Sequence, residues 1–297
     1  MARSLCCFCA RSGIIRALVL VGMALAAACG SDAPQPPGAE DDAGRRIVAL
    51  VPSLNELIVE LGAGEVLAAR TDYDTHALAE SLPSIGGGLD PNLESLVDLQ
   101  IDVVLMAAGR DTPELATRME SLGIQVETFQ TQTVDDIYES IAHLGVLLRR
   151  EAAADSLASS IRTELSEVAD RVSGQARVPV MFVVWSDPPQ TTGGGTFIDE
   201  VITIAGGRNV FADAALEWPN VGFETIVARA PSAIIWPQGE YTIANVGELR
   251  TRAGWRDVEA VRDGRVILVD ANLFNRPGPG VVEAAQMLAA ALHPDVH

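Results

Sequence analysis

One stretch limits what the rest of this chain can fold into. Residues 149–172 read RREAAADSLASSIRTELSEVADRV, with no Gly or Pro until Gly174. Leu157, Ile161, Leu165, Val168 and Val172 recur at steps of four, four, three and four, which places them on one face of an α-helix. The remaining positions are mostly small, polar or charged, so the opposite face is polar. A helix of this length spans roughly 35 Å, about the width of a small domain. Strand and helix patterns of similar extent lie on either side. The spacing therefore predicts a stiff strut between two lobes, with an ordinary core helix inside one domain as the plainer alternative.

At 297 residues and 48% hydrophobic content, the chain has room for two lobes of ordinary domain size. The expected division is 45–148 for the first α/β lobe, 149–173 for the joining helix and 174–297 for the second α/β lobe. In the first lobe, apolar runs at 47–51, 66–69, 103–106 and 126–129 read as short buried strands. Helices are expected at 55–61 with Ser53 as its cap, at 93–99 behind Asn92, at 112–122 and at 134–148. In the second, strands are expected at 178–185, 233–236 and 266–269, and helices at 197–205, 223–229 and 281–292. Apolar strands alternating with amphipathic helices indicate mainly parallel sheets covered on both faces.

The N-terminus carries an address. Arg3, Arg11 and Arg16 precede an apolar run from Ala17 to Ala28, the pattern of a secretory signal peptide over 1–28. Cys29 follows directly, then a Pro-, Asp- and Gly-rich tether to Gly44. This arrangement resembles a bacterial lipoprotein signal, which implies lipidation at Cys29 and a periplasmic or cell-surface protein anchored through lipid. The usual Leu three residues before the Cys is replaced by Ala26, with Leu25 one further back. Cys6, Cys7 and Cys9 fall in the segment to be removed. No Cys follows Cys29, so the folded body holds neither a disulfide nor a thiolate metal site.

The formal net charge is −19, and every basic residue except His is Arg. That balance argues against nucleic acid, which needs clustered positive charge, and permits docking onto basic protein surfaces. One internal match bears on such docking. Residues 93–105 align with 223–235, pairing Leu93 with Phe223, Glu94 with Glu224, Leu96 with Ile226 and Val104 with Ile234. Each copy reads as a short helix followed by a buried strand, which suggests two pseudo-equivalent lobes with Glu94 and Glu224 in matching places.

The sequence marks no catalytic constellation: HExxH, GxSxG and P-loop patterns are missing, and Gly193-Gly194-Gly195 lacks dinucleotide-fingerprint spacing. His143 sits within a helical run, whereas His76 closely follows the loop 71–74 and is a candidate to face a ligand. Expected loops at strand ends carry a different set: Tyr73, Trp185, Trp218, Phe274 and Arg276, with glycines at 86–88 and 193–195. In open α/β sheets, ligands bind outside the carboxyl ends of strands. Flat aromatic side chains there suit a large planar ligand, and glycines would let backbone approach it. Arg276 is suited to a carboxylate, phosphate or amide carbonyl. For each aromatic the alternative is core packing.

Several of these segments resemble one family. Phe197-Ile-Asp-Glu-Val-Ile-Thr-Ile-Ala-Gly-Gly-Arg-Asn-Val-Phe211, Trp218-Pro-Asn-Val and Glu224-Thr-Ile-Val-Ala-Arg-Ala-Pro-Ser-Ala-Ile-Ile235 are similar to the substrate-binding proteins of ABC importers for cobalamin, haem and iron–siderophores. So are Val48-Ala-Leu-Val-Pro-Ser-Leu-Asn-Glu-Leu57, Asn92-Leu-Glu-Ser-Leu96 and Gly264-Arg-Val-Ile-Leu-Val-Asp270. The resemblance implies two α/β lobes on one rigid backbone helix, the class III periplasmic binding protein arrangement. It implies ligand capture in the interlobe cleft without catalysis or a resident cofactor or metal. It implies a permease and an ATPase as partners of a monomeric protein, with Glu94 and Glu224 docking onto permease arginines. The cobalamin-binding branch is most similar, and it places ligand contacts at Asp72-Tyr73, Trp185, Trp218-Pro219 and Phe274-Asn-Arg276. In two places the sequence departs from that branch: Ile85-Gly-Gly-Gly88 stands where it has a Trp, and Asn272 where it has an Asp. Haem and ferric siderophore are the alternative ligands, with Tyr73 or His76 available as a haem axial ligand.

Overall fold

The computed structural model describes residues 44–109, 112–239 and 246–296. The expected signal peptide, Cys29 and nearly all of the tether lie outside the described residues. In the first lobe, β1 (Ile47–Ala49), β2 (Val103–Ala107) and β3 (Gln125–Phe129) form a parallel sheet in that order. Period-two alternation sends their side chains to opposite faces. Ile47, Ala49, Val103 and Leu105 join one apolar cluster, while Val48, Leu50, Val104 and Met106 join another. Both faces are therefore covered, as the continuous apolar runs predict. The strand expected at 66–69 shrinks to a single parallel bridge between Leu67 and Ile47, because Gly64–Val66 coil into a 3-10 turn just before it.

Helices α1 (Pro52–Glu60), α2 (Leu93–Asp98), α3 (Thr112–Glu120) and α4 (Val134–Leu147) surround this sheet. Asn92 caps α2 as expected, its side chain accepting from the Ser95 N–H. Thr133 and Asp136 form a reciprocal capping box on α4. Ser53 is not a cap. Helix α1 starts three residues earlier than expected, with Pro52 in its first turn, and the Ser53 side chain is buried within the helix.

The joining helix α5 spans Glu151–Val172. It begins two residues later than the spacing predicts, because Arg149 takes a left-handed φ of 52° and breaks the path between α4 and α5. Its buried face is Ala154, Ala158, Ile161, Leu165, Val168 and Val172. Near its start, Ala154 lies against Gly145 of α4; at its end, Val172 lies against Gly206 in the second lobe. One apolar cluster runs from β1 and α4 through this face into the second lobe. The helix is thus half embedded in a core that both lobes share, and burial of each of Ile161, Leu165, Val168 and Val172 stabilises the fold by roughly 1.5–3 kcal/mol.

The second lobe continues with β4 (Val178–Phe182), β5 (Trp185–Ser186), β6 (Pro189–Gln190), α6 (Phe197–Ile204), β7 (Gly207–Asn209), α7 (Phe223–Arg229), β8 (Ala233–Gln238), α8 (Val246–Leu249), α9 (Glu259–Arg262), β9 (Val266–Asp270), α10 (Ala271–Phe274) and α11 (Val281–Leu292). A four-stranded parallel sheet has the order β7-β4-β8-β9. The strand expected at 178–185 stops at Phe182, and Val184 onward turns into the β5-β6 hairpin, with the Val184 N–H donating to the Gln190 carbonyl. Two separate sheets joined through α5 make the two-lobed α/β architecture expected of class III periplasmic binding proteins. The internal match holds in space: α2 leads into β2, the middle strand of its sheet, and α7 leads into β8, also an inner strand. Leu96, Val104, Ile226 and Ile234 are all fully buried.

Candidate functional site

Loops that follow the carboxyl ends of strands meet across the two lobes at two places. The first joins the turn after Leu67 to the segment after β9. Arg276 donates through Nη2 to the Tyr73 carbonyl at 2.7 Å and through Nη1 to Thr75 Oγ1 at 3.2 Å. Its Nη1 also lies 3.6 Å from Glu56 Oε1 on α1. Burial pushes the Glu56 carboxyl above its usual range, against the pull of Arg276 and His76 and aided by Asp74. The second joins the segment after β3 to the start of α6. The Phe197 N–H donates to the Gln132 carbonyl, and the Val134 N–H donates to Glu200 Oε2 at 2.6 Å. Burial, the larger effect, and the nearby carboxylates of Asp135, Asp199 and Asp136 hold the Glu200 carboxyl above its usual range, although the Val134 N–H favours the anion.

Three of the expected aromatic residues are solvent-accessible. Tyr73 is 64% exposed and Trp185 55% exposed, with Trp218 at 38%. The turn carrying Tyr73 is built locally: Asp74 Oδ2 accepts from Thr71 N and Oγ1, and Asn55 Nδ2 donates to Asp74 Oδ1. Trp185 and Trp218 share a platform. Trp185 pairs with Gln190 in the hairpin, and Gln190 pairs with Asn220 in an antiparallel bridge. Gln190 Nε2 also donates to the Trp218 carbonyl at 3.2 Å, which ties the loop carrying Trp218 to the hairpin carrying Trp185. Pro189 and Thr191, on either side of Gln190, are buried. Two side chains anchor the platform. Trp255 Nε1 donates to the Ser186 carbonyl at 3.3 Å, and Asn209 Nδ2 donates to the carbonyls of Thr192 and Gly193.

Three sequence expectations need correction. Phe274 is 2% exposed and packs in the shared apolar cluster. Asp270 caps α10, accepting from the Asn272 N–H, and this single helical turn directs Phe274 inward. Three of the six loop glycines face their own lobe and not a ligand: a side chain at Gly88 would come 2.2 Å from the Leu50 carbonyl oxygen, one at Gly193 2.3 Å from that of Leu216, and one at Gly194 2.3 Å from that of Ala212, whereas one at Gly86, Gly87 or Gly195 would meet no atom nearer than 3.7 Å. Arg276 does not project freely into the cleft; its side chain is 15% exposed and engaged by first-lobe acceptors. His76 has a local role, its Nδ1 accepting from the Leu78 N–H at the start of a 3-10 turn. His143 is the helix residue expected, 3.2 Å from Glu127 Oε2. Glu56 and Glu200 carried no sequence signal, since each meets its partner only across the lobes. Among the described residues, no group of three or more His, Cys, Asp or Glu is arranged to hold a metal ion.

Glu94 and Glu224 are exposed in the first turns of α2 and α7. One helical turn on, Val97 and Val227 are also half exposed, at 48% and 45%. The two lobes therefore present the same carboxylate-plus-valine pair at equivalent positions.

A family profile described as periplasmic binding protein matches residues 47–273. The chain belongs to that family. Its members are periplasmic solute-binding proteins, not enzymes. An uncharacterised ABC transporter substrate-binding lipoprotein of Bacillus subtilis, YvrC, is 30% identical over 96% of this chain and 98% of its own length. A vitamin B12-binding protein of Vibrio cholerae is 25% identical over 83% of this chain and 88% of its own. Among solved structures, the periplasmic heme-binding protein RhuT from Roseiflexus sp. RS-1, in apo form, matches with a TM-score of 0.76 at 25% identity, covering 84% of this chain and 98% of that one.

Proposed function

We propose that this protein is a lipid-anchored extracytoplasmic receptor that captures a corrinoid between its lobes and delivers it to an ABC permease and its ATPase. The observation that carries the ligand class is the set of exposed aromatic side chains, Tyr73, Trp185 and Trp218, on loops at the carboxyl ends of strands. Flat apolar rings at such a rim suit a large macrocycle. The commitment of Arg276 to Glu56 and to the Tyr73 turn favours a ligand without strong anionic character over ferric siderophores, which call for free cations. A relative named for vitamin B12 supports the same choice. Docking through Glu94 and Glu224 is supported by their exposure and by their equivalence in the two lobes. Lipidation at Cys29 is supported by the leader pattern and by the lipoprotein name of the Bacillus relative.

Purified protein titrated with cyanocobalamin should show quenching of Trp fluorescence with a dissociation constant at or below about 1 μM, on the order of −8 kcal/mol. Haem is the second reading, favoured by the exposure of Tyr73, whose phenol oxygen is a known type of haem-iron ligand, and by the haem-binding structural relative. A parallel titration with hemin separates the two: a Soret shift lost in Tyr73→Phe, with no response to cyanocobalamin or cobinamide, would replace the corrinoid reading.

A further inference from the structure

We infer that Arg276 is a positioning residue, a cross-lobe strut that fixes the Tyr73 turn from the opposite side of the cleft, with Glu56 as its counter-charge. The inference rests on the reading of Tyr73 as a ligand contact, and it assigns Arg276 a different task from direct contact. The geometry carries it. Within its own lobe the turn 71–75 is held on its inner limb: Asp74 is bonded by Thr71 and Asn55, the Asp72 N–H donates to the Gly86 carbonyl, and Ser84 Oγ donates to Asp72 Oδ1. Its outer limb, the Tyr73 carbonyl and the Thr75 hydroxyl, is gripped by one guanidinium from the other lobe. A planar fork that donates to two acceptors on one turn restrains that turn's orientation, which a point charge cannot do.

The strut itself is held at both sides. Pro277 and Pro279 flank Gly278, fixing two backbone φ angles just beyond Arg276. Gly278 lies so close to α1 that a side chain there would come 2.7 Å from Ser53 Cβ. The segment after α10 is therefore pressed onto α1 beside Glu56. Glu56 is three-quarters buried at its side chain and supplies the negative charge that a mostly buried guanidinium requires. With its backbone set this way, Tyr73 presents a side chain that is 64% exposed at the rim. The orientation of one rim aromatic is thus set by a residue of the lobe opposite to it.

Two measurements on the full-length protein test this. Arg276→Gln combined with Glu56→Gln leaves no unpaired buried charge and is expected to fold. In ligand-free protein, amides of residues 71–78 should then exchange with deuterium about tenfold faster or more, while those of β2 and β8 exchange at the wild-type rate. Arg276→Lys, which keeps the charge and loses the fork, should lie between the two. Unchanged exchange across 71–78 in the double variant would overturn the inference, and this arm needs no ligand. The second arm is a cycle with Tyr73→Ala, read by titration with whichever of cyanocobalamin or hemin the wild type binds. The Arg276/Glu56 double variant should weaken binding about tenfold, and by less than about twofold once Tyr73 is already Ala. Equal losses in both backgrounds would mean direct contact between Arg276 and the ligand, and would also overturn the inference. If the wild type binds neither probe, the corrinoid and haem readings fail while the exchange measurement still decides the role of Arg276.

Discussion

Trp218 and Phe274 show how differently two aromatics from loop-like sequence can be used. Trp218 is exposed, so removing its ring leaves the apolar clusters intact. Trp218→Ala should leave urea unfolding within about 0.5 kcal/mol of wild type and weaken corrinoid binding about tenfold, as expected for losing one stacked ring. Phe274 fills a closed site in the shared core. Phe274→Ala should cost about 3–5 kcal/mol in unfolding free energy, with little loss of affinity in the fraction that remains folded. The reverse pattern in either variant would exchange their roles. The surroundings of Trp218 and Tyr73 were legible in the sequence, because neighbouring Asp, Pro and Asn mark solvent-facing turns. Phe274 was not. The four-residue helix that turns it inward is too short to show periodicity, and its cap, Asp270, sits at the end of an apolar strand. The bonds of Arg276 to Tyr73, Thr75 and Glu56 were not legible, since these partners lie in the other lobe and leave no local pattern.

Among elements, those that bury a periodic apolar face could be read directly: α4, α5, α6, α7 and α11, and strands β1, β2, β8 and β9. The strand β7, Gly207–Asn209, has no apolar side chain to signal it and exists because β4 offers it an edge. The β5-β6 hairpin was absorbed into the strand before it, since Val183, Val184 and Trp185 extend the apolar run without a break. The seam of α5 makes a prediction of its own: Ile161→Ala should cost about 2–5 kcal/mol, whereas Ser159→Ala on the exposed face should fall within about 0.5 kcal/mol of wild type, both by urea unfolding. The contact between α6 and the start of α4 makes another. Glu200 has a raised pKa in the folded protein, so the folded state binds more protons than the unfolded chain between the ordinary value of 4.5 and the raised one. Stability from this group is therefore fully present below pH 4.5 and falls as pH rises through the folded pKa. Glu200→Gln keeps an oxygen for the Val134 N–H and removes the titration. Its unfolding temperature relative to wild type should rise as pH is taken upward from 4.5. A difference independent of pH would show that the Glu200 charge is not what the site works against.

At the scale of the molecule, what matters is the fixed relation between the lobes. Three things set it: the core shared along α5 and the two polar contacts at Arg276 and Glu200. Since α2 and α7 occupy equivalent places in the two lobes, fixing the lobes also fixes the separation of Glu94 and Glu224. A permease meeting two carboxylates at constant spacing gains from both at once, because the second contact forms without a further loss of translational freedom. Exposed charges of this kind act mainly on encounter and orientation and are screened by salt. The paired substitution Glu94→Ala with Glu224→Ala should therefore leave ligand affinity in solution unchanged within about twofold. The same protein, offered to its permease and ATPase in proteoliposomes, should lose at least about tenfold in transport at low ionic strength, each single variant losing less. Raising the salt should narrow the gap between wild type and variant. Val97 and Val227, one turn on from each carboxylate, are insensitive to screening, so Val97→Asp with Val227→Asp should impair transport at high salt as well as low. Full transport by the Glu94/Glu224 double variant at low salt would remove these two helices from the docking face.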